Sequence, residues 1–260
     1  MLDGWQNTKN AVLAGRPLPS IVLLEEALQV LFASFPDTFI FFGGASLVLF
    51  YGSSRHSGDL DLLISSEAAP GANELQRVLE QPLRAVAEAL GFTGLTIEPA
   101  RTTDEFLKLA VKAGGQVLFT IDLTKISAVI RSELVAFHIT ADSGERITVP
   151  VPSRNLQLLF KAEAFLKRSF LKARDAFDIK LLRDSGARLE TNLKAHLADG
   201  PAAERLEDPQ FIAKQIDRVN SRTCKPELQP YLPKEIYEEL EKADFAPLRQ
   251  ALRELFSEWL

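Results

Sequence analysis

The sequence contains a single cysteine, Cys224, in 260 residues, so no disulfide bond can form within the chain. A chain without disulfides fits a reducing compartment, and we expect a cytoplasmic protein. Long hydrophobic runs are also lacking: the most apolar stretch, residues 39–51, is too short to span a membrane and contains two glycines. Residues 1–15 have no apolar core of the kind found in secretory signal peptides. The sequence therefore predicts neither export nor a membrane partner.

Several common catalytic signatures are missing. The phosphate-binding pattern G-x-x-x-x-G-K-[ST] does not occur, which excludes a P-loop enzyme. The three histidines, His56, His138 and His196, are scattered without the spacing of zinc ligands. The net charge of −5 excludes a polycation that binds nucleic acid over its whole surface, although a local basic patch is compatible with it.

The hydrophobic pattern changes near Pro150 and Pro152, where we place a boundary. Ahead of it, β-branched and apolar runs predict strands at residues 38–42, 59–64, 95–97, 106–111, 117–123, 134–139 and 146–149. Helical periodicity predicts helices at residues 20–35, 45–51 and 74–90, and behind the boundary at residues 154–168, 172–182, 188–197, 209–219 and 234–259. We therefore predict an α+β core with a mixed sheet over residues 1–150, followed by an all-helical domain over residues 151–260.

Two carboxylates occupy one predicted strand. Asp59 and Asp61 are two residues apart, and because side chains alternate along a strand, both point to one face. Adjacent like charges repel each other, and a divalent cation relieves the repulsion. Mg²⁺ (or Mn²⁺) suits such a site because it is usually shared between one or two carboxylates and substrate phosphates. A D-x-D pattern without further motifs more often marks a solvent-facing strand. The surrounding residues therefore have to distinguish a metal site from an exposed strand.

A glycine turn precedes the two acids. Gly43 and Gly44 follow a buried strand and open a short apolar helix that contains Ser46. Such a turn presents free backbone N–H groups to a phosphate, and the helix dipole favours the anion; Ser46 can add a hydroxyl. Taken alone, the glycines are as well explained by a tight connection between strand and helix.

A third acid, Asp122, ends the apolar strand at residues 117–123, where it shares a face with Leu118 and Thr120. An unpaired buried carboxylate is costly, and a metal would compensate it. The alternative is that Asp122 caps the turn before Lys125. The strand pattern alone does not decide between these interpretations.

The helical half is locally basic. Residues 154–194 hold ten Lys or Arg against five Asp or Glu, in a chain whose net charge is negative. Lys161 lies among apolar residues, which fits either a contact to nucleotide phosphates or a side chain that extends to solvent from a helix edge. Asp175 and Asp178 share a helix face. They either pair with a nearby cation, Lys172 or Arg174, or, in the functional alternative, Asp175 holds Lys161 or a substrate group.

In combination, these motifs resemble the DNA polymerase β-like nucleotidyltransferases. The segments GGAS at 43–46, RHSG at 55–58 and DLDL at 59–62 match the first motif of that superfamily, and Asp122 takes the place of its third acid. More narrowly, the Gly-Gly opening and the Arg-x-Ser before the acids resemble the AbiEii/AbiGii-type toxin nucleotidyltransferases. A lysine followed by a basic stretch and an Arg-Asp-x-x-Asp element, here Lys161 and residues 174–178, is similar to the later motifs of that family.

The resemblance implies a metal-dependent enzyme that transfers a nucleoside monophosphate from an NTP to an acceptor hydroxyl, and a toxin with a cognate antitoxin. Some members of the family act on tRNA ends, which makes tRNA or another RNA the expected acceptor; a small molecule, a protein side chain or an inactive binding module are the alternatives. The expected catalytic residues are Asp59, Asp61, Asp122, Lys161 and Asp175, the first three as metal ligands. The expected nucleotide-binding residues are Gly43, Gly44, Ser46, Arg55, Ser57 and Lys161.

Overall fold

A computed structural model describes residues 18–64, 69–126, 130–141, 144–198 and 202–258. The amino-terminal segment, for which the sequence predicts no export signal, lies outside the described residues. Within the described ranges, no helix is both long enough and apolar enough to cross a bilayer. The chain divides into two compact units: residues 1–52 and 56–152 form the first, and residues 53–55 and 153–260 form the second.

The first unit is a mixed sheet with helices. Its elements are α1 (Leu18–Ser34), β1 (Phe39–Phe42), α2 (Gly43–Tyr51), β2 (Asp59–Ile64), α3 (Ala72–Ala89), β3 (Thr96–Thr102), β4 (Phe106–Ala113), β5 (Gln116–Lys125), β6 (Leu134–Thr140) and β7 (Arg146–Pro152), with a 3₁₀ turn at Arg131–Glu133. Five strands form one sheet in the order β1-β2-β5-β4-β3, and β6 and β7 form a separate hairpin. β2 and β5 run parallel, whereas the other neighbouring strands are antiparallel.

The two faces of the five-stranded sheet differ in character. Leu60 and Leu62 of β2, with Ile121 and Leu123 of β5, are buried in one core together with the leucines of α1 and α3. On the alternate face of the same strands, Asp59, Asp61, Thr120 and Asp122 are only half-buried. Because one strand face is taken up by the core, the alternation in sequence determines which side chains stand on the other face.

The second unit is helical throughout its described part. Its helices are α4 (Arg154–Lys167), α5 (Ala173–Asp184), α6 (Thr191–Ala198), α7 (Ala203–Leu206), α8 (Pro209–Asp217), α9 (Ser221–Leu228), α10 (Lys234–Lys242) and α11 (Ala246–Ser257). α5 is central and packs against α4, α9 and α11. A helix surrounded in this way is buried on most of its sides, so a charged residue on one of those buried sides needs a partner. The predicted α+β core with a mixed sheet, followed by helices, is confirmed.

One predicted helix was wrong. The helix expected over residues 234–259 is two helices, α10 and α11, because Asp244 and Phe245 adopt left-handed backbone angles, with φ of 46° and 56°. Phe245 is fully buried at this break, so the apolar periodicity continues across it and conceals the interruption. Trp259, the last residue of that prediction, lies outside the described residues.

Two helices, α7 and α9, were not predicted. α9 contains Pro226, a residue that usually argues against a helix interior. Its start is fixed by a capping box, in which the Asn220 side chain accepts from the backbone of the first turn and Thr223 bonds back to the Asn220 backbone. Cys224 is buried in this helix, and burial raises the pKa of its thiol to about 11, so the single cysteine is a core residue.

Candidate active site

The parallel pairing of β2 with β5 brings three predicted acids to one face of the sheet. Asp61 lies opposite Asp122, and Asp59 lies opposite Thr120. Neighbouring strands are about 4.8 Å apart, so side chains that share a register position on the same face are direct neighbours. The register of β2 and β5 therefore places Asp59, Asp61 and Asp122 on one face of the sheet.

Thr120 joins two of these acids. Its Oγ1 lies 2.9 Å from Oδ1 of Asp59 and 3.0 Å from Oδ1 of Asp122. A hydroxyl has one proton to donate, so it can satisfy only one of the two carboxylates at a time. Thr120 was predicted to share a strand face with Asp122, but no role was predicted for it. The sequence feature that indicates such a role is a hydroxyl two residues before an acid in an apolar strand.

Lys108 is the second residue that sequence reasoning missed. It lies opposite Asp122 on β4, and its Nζ is 2.7 Å from Oδ2 of Asp122. This ion pair, rather than a turn before Lys125, compensates the Asp122 carboxylate. The signal in the sequence was a lysine within the apolar strand at residues 106–111, whose partner could be found only after β4 had been placed beside β5.

The acids fit a metal site that is completed by water and substrate better than a site built from protein ligands alone. Among the described residues, no three His, Cys, Asp or Glu side chains converge closely enough to hold an ion by themselves. Mg²⁺ usually takes one or two protein carboxylates and completes its coordination with water and substrate phosphates. Asp59 and Asp61, side by side on β2, supply such a pair, whereas Asp122 shares its charge with Lys108.

Gly43 lies directly against Asp61. It follows β1, whose last residue, Phe42, is the register partner of Asp61, and it has a left-handed φ of 77°. A Cβ at this position would lie 2.2 Å from Oδ2 of Asp61. Only glycine combines this backbone angle with this contact, so Gly43 allows the carboxylate to approach the start of α2.

The residue before α2, Phe42, makes no side-chain capping hydrogen bond to the first turn of the helix. The first backbone N–H groups of α2 have no partner within the helix. Gly43 and Gly44 are both buried in this turn. Ser46 is fully buried, and its hydroxyl donates to the carbonyl of Gly43 at 2.9 Å. In this structure, Ser46 therefore stabilises the glycine turn.

Gly43→Ala should lower both stability and nucleotide transfer. The left-handed angle costs an L-residue about 1–2 kcal/mol, and the added methyl group must also displace Asp61. Gly52→Ala is a matched control, because Gly52 has a φ of 73° but no atom near its missing Cβ. In chemical denaturation, we expect both variants to lose the unfolding free energy that corresponds to the left-handed backbone angle, about 1–2 kcal/mol. Only Gly43→Ala should also lose transfer activity. Equal stability and equal transfer in the two variants would contradict a close approach of Asp61.

A second charged cluster lies within the helical unit. Arg55 binds Asp178 through two bonds, Nε to Oδ1 at 2.5 Å and Nη2 to Oδ2 at 2.7 Å. Lys161 lies 2.8 Å from Oδ2 of Asp178 and 3.2 Å from Oδ1 of Asp175, and Arg168 pairs with Asp175. The five side chains alternate in charge, so each acid contacts two cations.

The cluster is buried. Asp178 is fully enclosed, Asp175 and Arg55 are each 3% exposed, and the Lys161 side chain is 12% exposed. Burial alone would raise the pKa of Asp178, but the charges of Arg55 and Lys161 outweigh it and hold the pKa below its ordinary value. Asp178 is therefore an anion within the helical unit and the centre of this network.

These contacts bear on the expected roles of the basic residues. Lys161 contacts both Asp175 and Asp178 and is largely buried, so it does not extend freely into solvent. Arg55, expected at the nucleotide, binds Asp178 through the Nε–Nη2 edge of its guanidinium. Arg174, expected beside the two acids in the alternative interpretation, lies 3.5 Å from Glu227. Ser57 is half-buried in the loop before β2.

A mixed sheet that carries paired acids behind a glycine turn, with a helical unit after it, defines a nucleotidyltransferase. The chain belongs to the family of AbiEii nucleotidyl transferase toxins of type IV toxin–antitoxin systems, whose model matches residues 27–258. A comparison with curated proteins gave no match. The family and the enzyme class expected from the sequence are confirmed.

Two solved structures share the fold. JHP933 from Helicobacter pylori is 18% identical, with 90% of each chain covered and a TM-score of 0.54. The nucleotidyltransferase toxin MenT4 from Mycobacterium tuberculosis is 16% identical, covers 95% of this chain and 92% of its own, and has a TM-score of 0.50. At these identities the likeness establishes the architecture alone.

Proposed function

We propose that this enzyme transfers a nucleoside monophosphate from an NTP to a hydroxyl group of RNA, with tRNA as the preferred class, and that this reaction is its toxic activity. The observation that carries the proposal is the register of β2 and β5, which sets Asp59, Asp61 and Asp122 on one face beside the Gly43 turn. Three acids beside an uncapped helix start combine the two needs of a bound NTP, cation ligands and donors to phosphate.

In the proposed reaction, the oxygen of the acceptor hydroxyl bonds to the α-phosphorus of the NTP. The bond from that phosphorus to the bridging oxygen breaks, pyrophosphate leaves, and the hydroxyl proton is released to solvent. The chain contributes mainly position and charge, because phosphoryl transfer requires little covalent chemistry from the protein.

Asp59 and Asp61 would hold a divalent ion, Mg²⁺ or Mn²⁺, which supplies charge neutralisation on the phosphates when bound. The backbone N–H groups at Gly43 and Gly44 would bind phosphate oxygens. Asp122 completes the acidic face, with its orientation fixed by Lys108 and Thr120.

We further propose that Lys161 neutralises triphosphate charge from within the buried cluster. Asp175 and Asp178 fix its ammonium position, and Arg55 supplies the second partner of Asp178. In that arrangement, Asp175 and Arg55 act on the nucleotide through Lys161. A cognate antitoxin protein is the expected regulatory partner of a toxin in this family.

The proposal is tested by incubating the purified protein with each α-labelled NTP, Mg²⁺ and total bacterial RNA, followed by separation of RNA from protein. We expect label in RNA, concentrated in the tRNA size range, and none when EDTA replaces Mg²⁺. Label only in protein or in small molecules would contradict RNA as the acceptor, and label in no fraction would contradict transfer. Expression in a bacterium should slow growth if transfer is the toxic activity.

A further inference from the structure

The helical unit contains a small cavity, bordered by three cationic residues, that the proposed reaction does not use. It has a volume of about 240 Å³ and is lined by Ser169, Arg205, Phe211, Lys214, Gln215 and Arg218. Three of these described residues are cations and none is acidic. The volume is below the roughly 300–1,000 Å³ of small-molecule pockets, so the cavity suits a phosphate group of a longer chain better than a whole NTP.

Local structure explains why these side chains meet. α8 starts at Asp208, whose carboxylate accepts from the backbone N–H groups of Gln210 and Phe211. From that start, Phe211, Lys214 and Arg218 follow at spacings of three and four residues, which places them on one helix face. A helix that presents an aromatic ring followed by two cations offers contacts to both a base and a phosphate.

Arg205 is held in a fixed orientation at the same cavity. Its guanidinium carbon lies 5.0 Å from the centre of the Phe211 ring, and its Nη1 donates to the carbonyls of Leu166 and Arg168 at 2.5 and 3.3 Å. A guanidinium fixed in this way loses little conformational freedom when it binds a phosphate, because its plane is already set.

Phe170, the chain neighbour of the cavity-lining Ser169, extends an aromatic ring into solvent. It is 63% exposed, and it follows Ser169, whose carbonyl accepts from Arg218 at 3.4 Å. The loop between α4 and α5 is thus attached to α8 next to an exposed aromatic side chain. Exposed aromatics flanked by cations are the platforms on which single-stranded nucleic acids stack their bases.

Arg168 connects this surface with the buried charged cluster. Its side chain pairs with Asp175, which contacts Lys161, and its carbonyl accepts from Arg205. Within the helical unit, the cavity therefore adjoins the network that holds the proposed phosphate-binding lysine.

We propose that the cavity and Phe170 bind single-stranded RNA, with a base stacked on Phe170 and phosphates held by Arg205, Lys214 and Arg218. The inference rests on the proposed function, because it assigns a binding surface to the proposed acceptor. A chain with a net charge of −5 repels RNA as a whole, so a local group of cations without acids is where RNA can approach.

The test is fluorescence anisotropy with a labelled single-stranded RNA of about 12 nucleotides, within the usual site sizes of roughly 4–16, measured without NTP. Lys214→Glu should weaken binding about ten-fold and lower the salt dependence by about one phosphate contact. Phe170→Ala should weaken binding about ten-fold at an unchanged salt dependence, because it removes a stacked base. Lys234→Glu is the matched control: Lys234 is 80% exposed and lies outside the cavity, and this variant should bind as wild type.

Wild-type affinity in Lys214→Glu and Phe170→Ala, or an equal loss in Lys234→Glu, would overturn the proposal. Absence of RNA binding by the wild-type protein would overturn it too and would leave the surface to a protein partner. The outcomes separate this proposal from the transfer reaction. Transfer to RNA with an unchanged KM in Lys214→Glu refutes the surface alone, whereas cavity-dependent RNA binding without any transfer refutes the reaction alone.

Discussion

Asp61→Asn should lower the rate of nucleotide transfer about 10²–10³-fold, because a divalent ion contributes several kcal/mol to stabilising phosphoryl charge and each 1.36 kcal/mol is about ten-fold in rate. The amide has nearly the volume of the carboxylate, so the contact with Gly43 is kept while the negative charge is lost. Stability should not fall, since the substitution relieves repulsion from Asp59 and Asp122. The measurements are single-turnover transfer at saturating NTP and a thermal melt.

Asp104→Asn is the control for this substitution, because Asp104 is exposed in the loop between β3 and β4. A second readout is the increase in melting temperature on addition of Mg²⁺, which reports binding without any reaction. We expect the increase in wild type and in Asp104→Asn, and a smaller one in Asp61→Asn. Wild-type transfer by Asp61→Asn at ordinary Mg²⁺ concentrations would remove Asp61 from the site.

Asp178→Asn should cost about 3–5 kcal/mol of unfolding free energy, the usual result of leaving buried charges without their partner. Arg55 would lose the carboxylate that it binds through two bonds, and Lys161 would keep only Asp175 of its two acidic partners. Asp184→Asn is the matched control, because it makes the same change in the same helix at a residue whose side chain is 61% exposed. Its pairing with Lys180 is a surface pair, and its loss should cost about 0–1 kcal/mol. Urea denaturation of both variants measures the difference, and equal losses would show that the Asp178 network contributes no more than a surface pair.

The same residue should make stability depend on pH. The pKa of Asp178 is lowered from 3.8 in the folded state, so the folded protein keeps the carboxylate charged where the unfolded chain already binds a proton. The contribution of Asp178 is therefore complete above about pH 4 and is lost as the pH falls through the lower folded value. The stability difference between wild type and Asp178→Asn should be largest at neutral pH and should shrink on acidification. A difference that grows in acid would contradict the assignment.

The sequence predicted best what depends on neighbours along the chain. β2 was predicted at residues 59–64, the residues it occupies, because acids and leucines alternate at its start and two apolar residues complete it. The glycine turn was found for the same reason, since left-handed glycine, strand and helix are all adjacent in sequence. The order and direction of the strands were not predicted. β2 pairs with β5, which lies far along the chain (Asp59 opposite Thr120), and only tertiary packing determines that pairing.

Partners of charged residues were the main omission. Arg55 and Asp178 are 123 residues apart, and no local pattern indicates that one guanidinium serves one carboxylate over that separation. Lys108 and Thr120 were equally invisible as partners of Asp122, because hydrogen bonds across a sheet follow from register. The sequence did indicate that Asp122, an acid at the end of an apolar strand, requires a compensating partner.

The short segment Ser53–Arg55 makes the boundary between the units unusual. The polypeptide passes from one unit to the other at residues 52–53, 55–56 and 152–153. A single cut after Pro152 therefore does not yield two self-sufficient fragments. The piece that begins at Ser153 would retain Asp178 and Lys161 but lack the guanidinium of Arg55, and the amino-terminal piece would carry Arg55 without its carboxylate. A chimera that joins one half of this chain to the other half of a relative at Pro152 would therefore separate Arg55 from Asp178. Such an exchange also has to include the loop before β2.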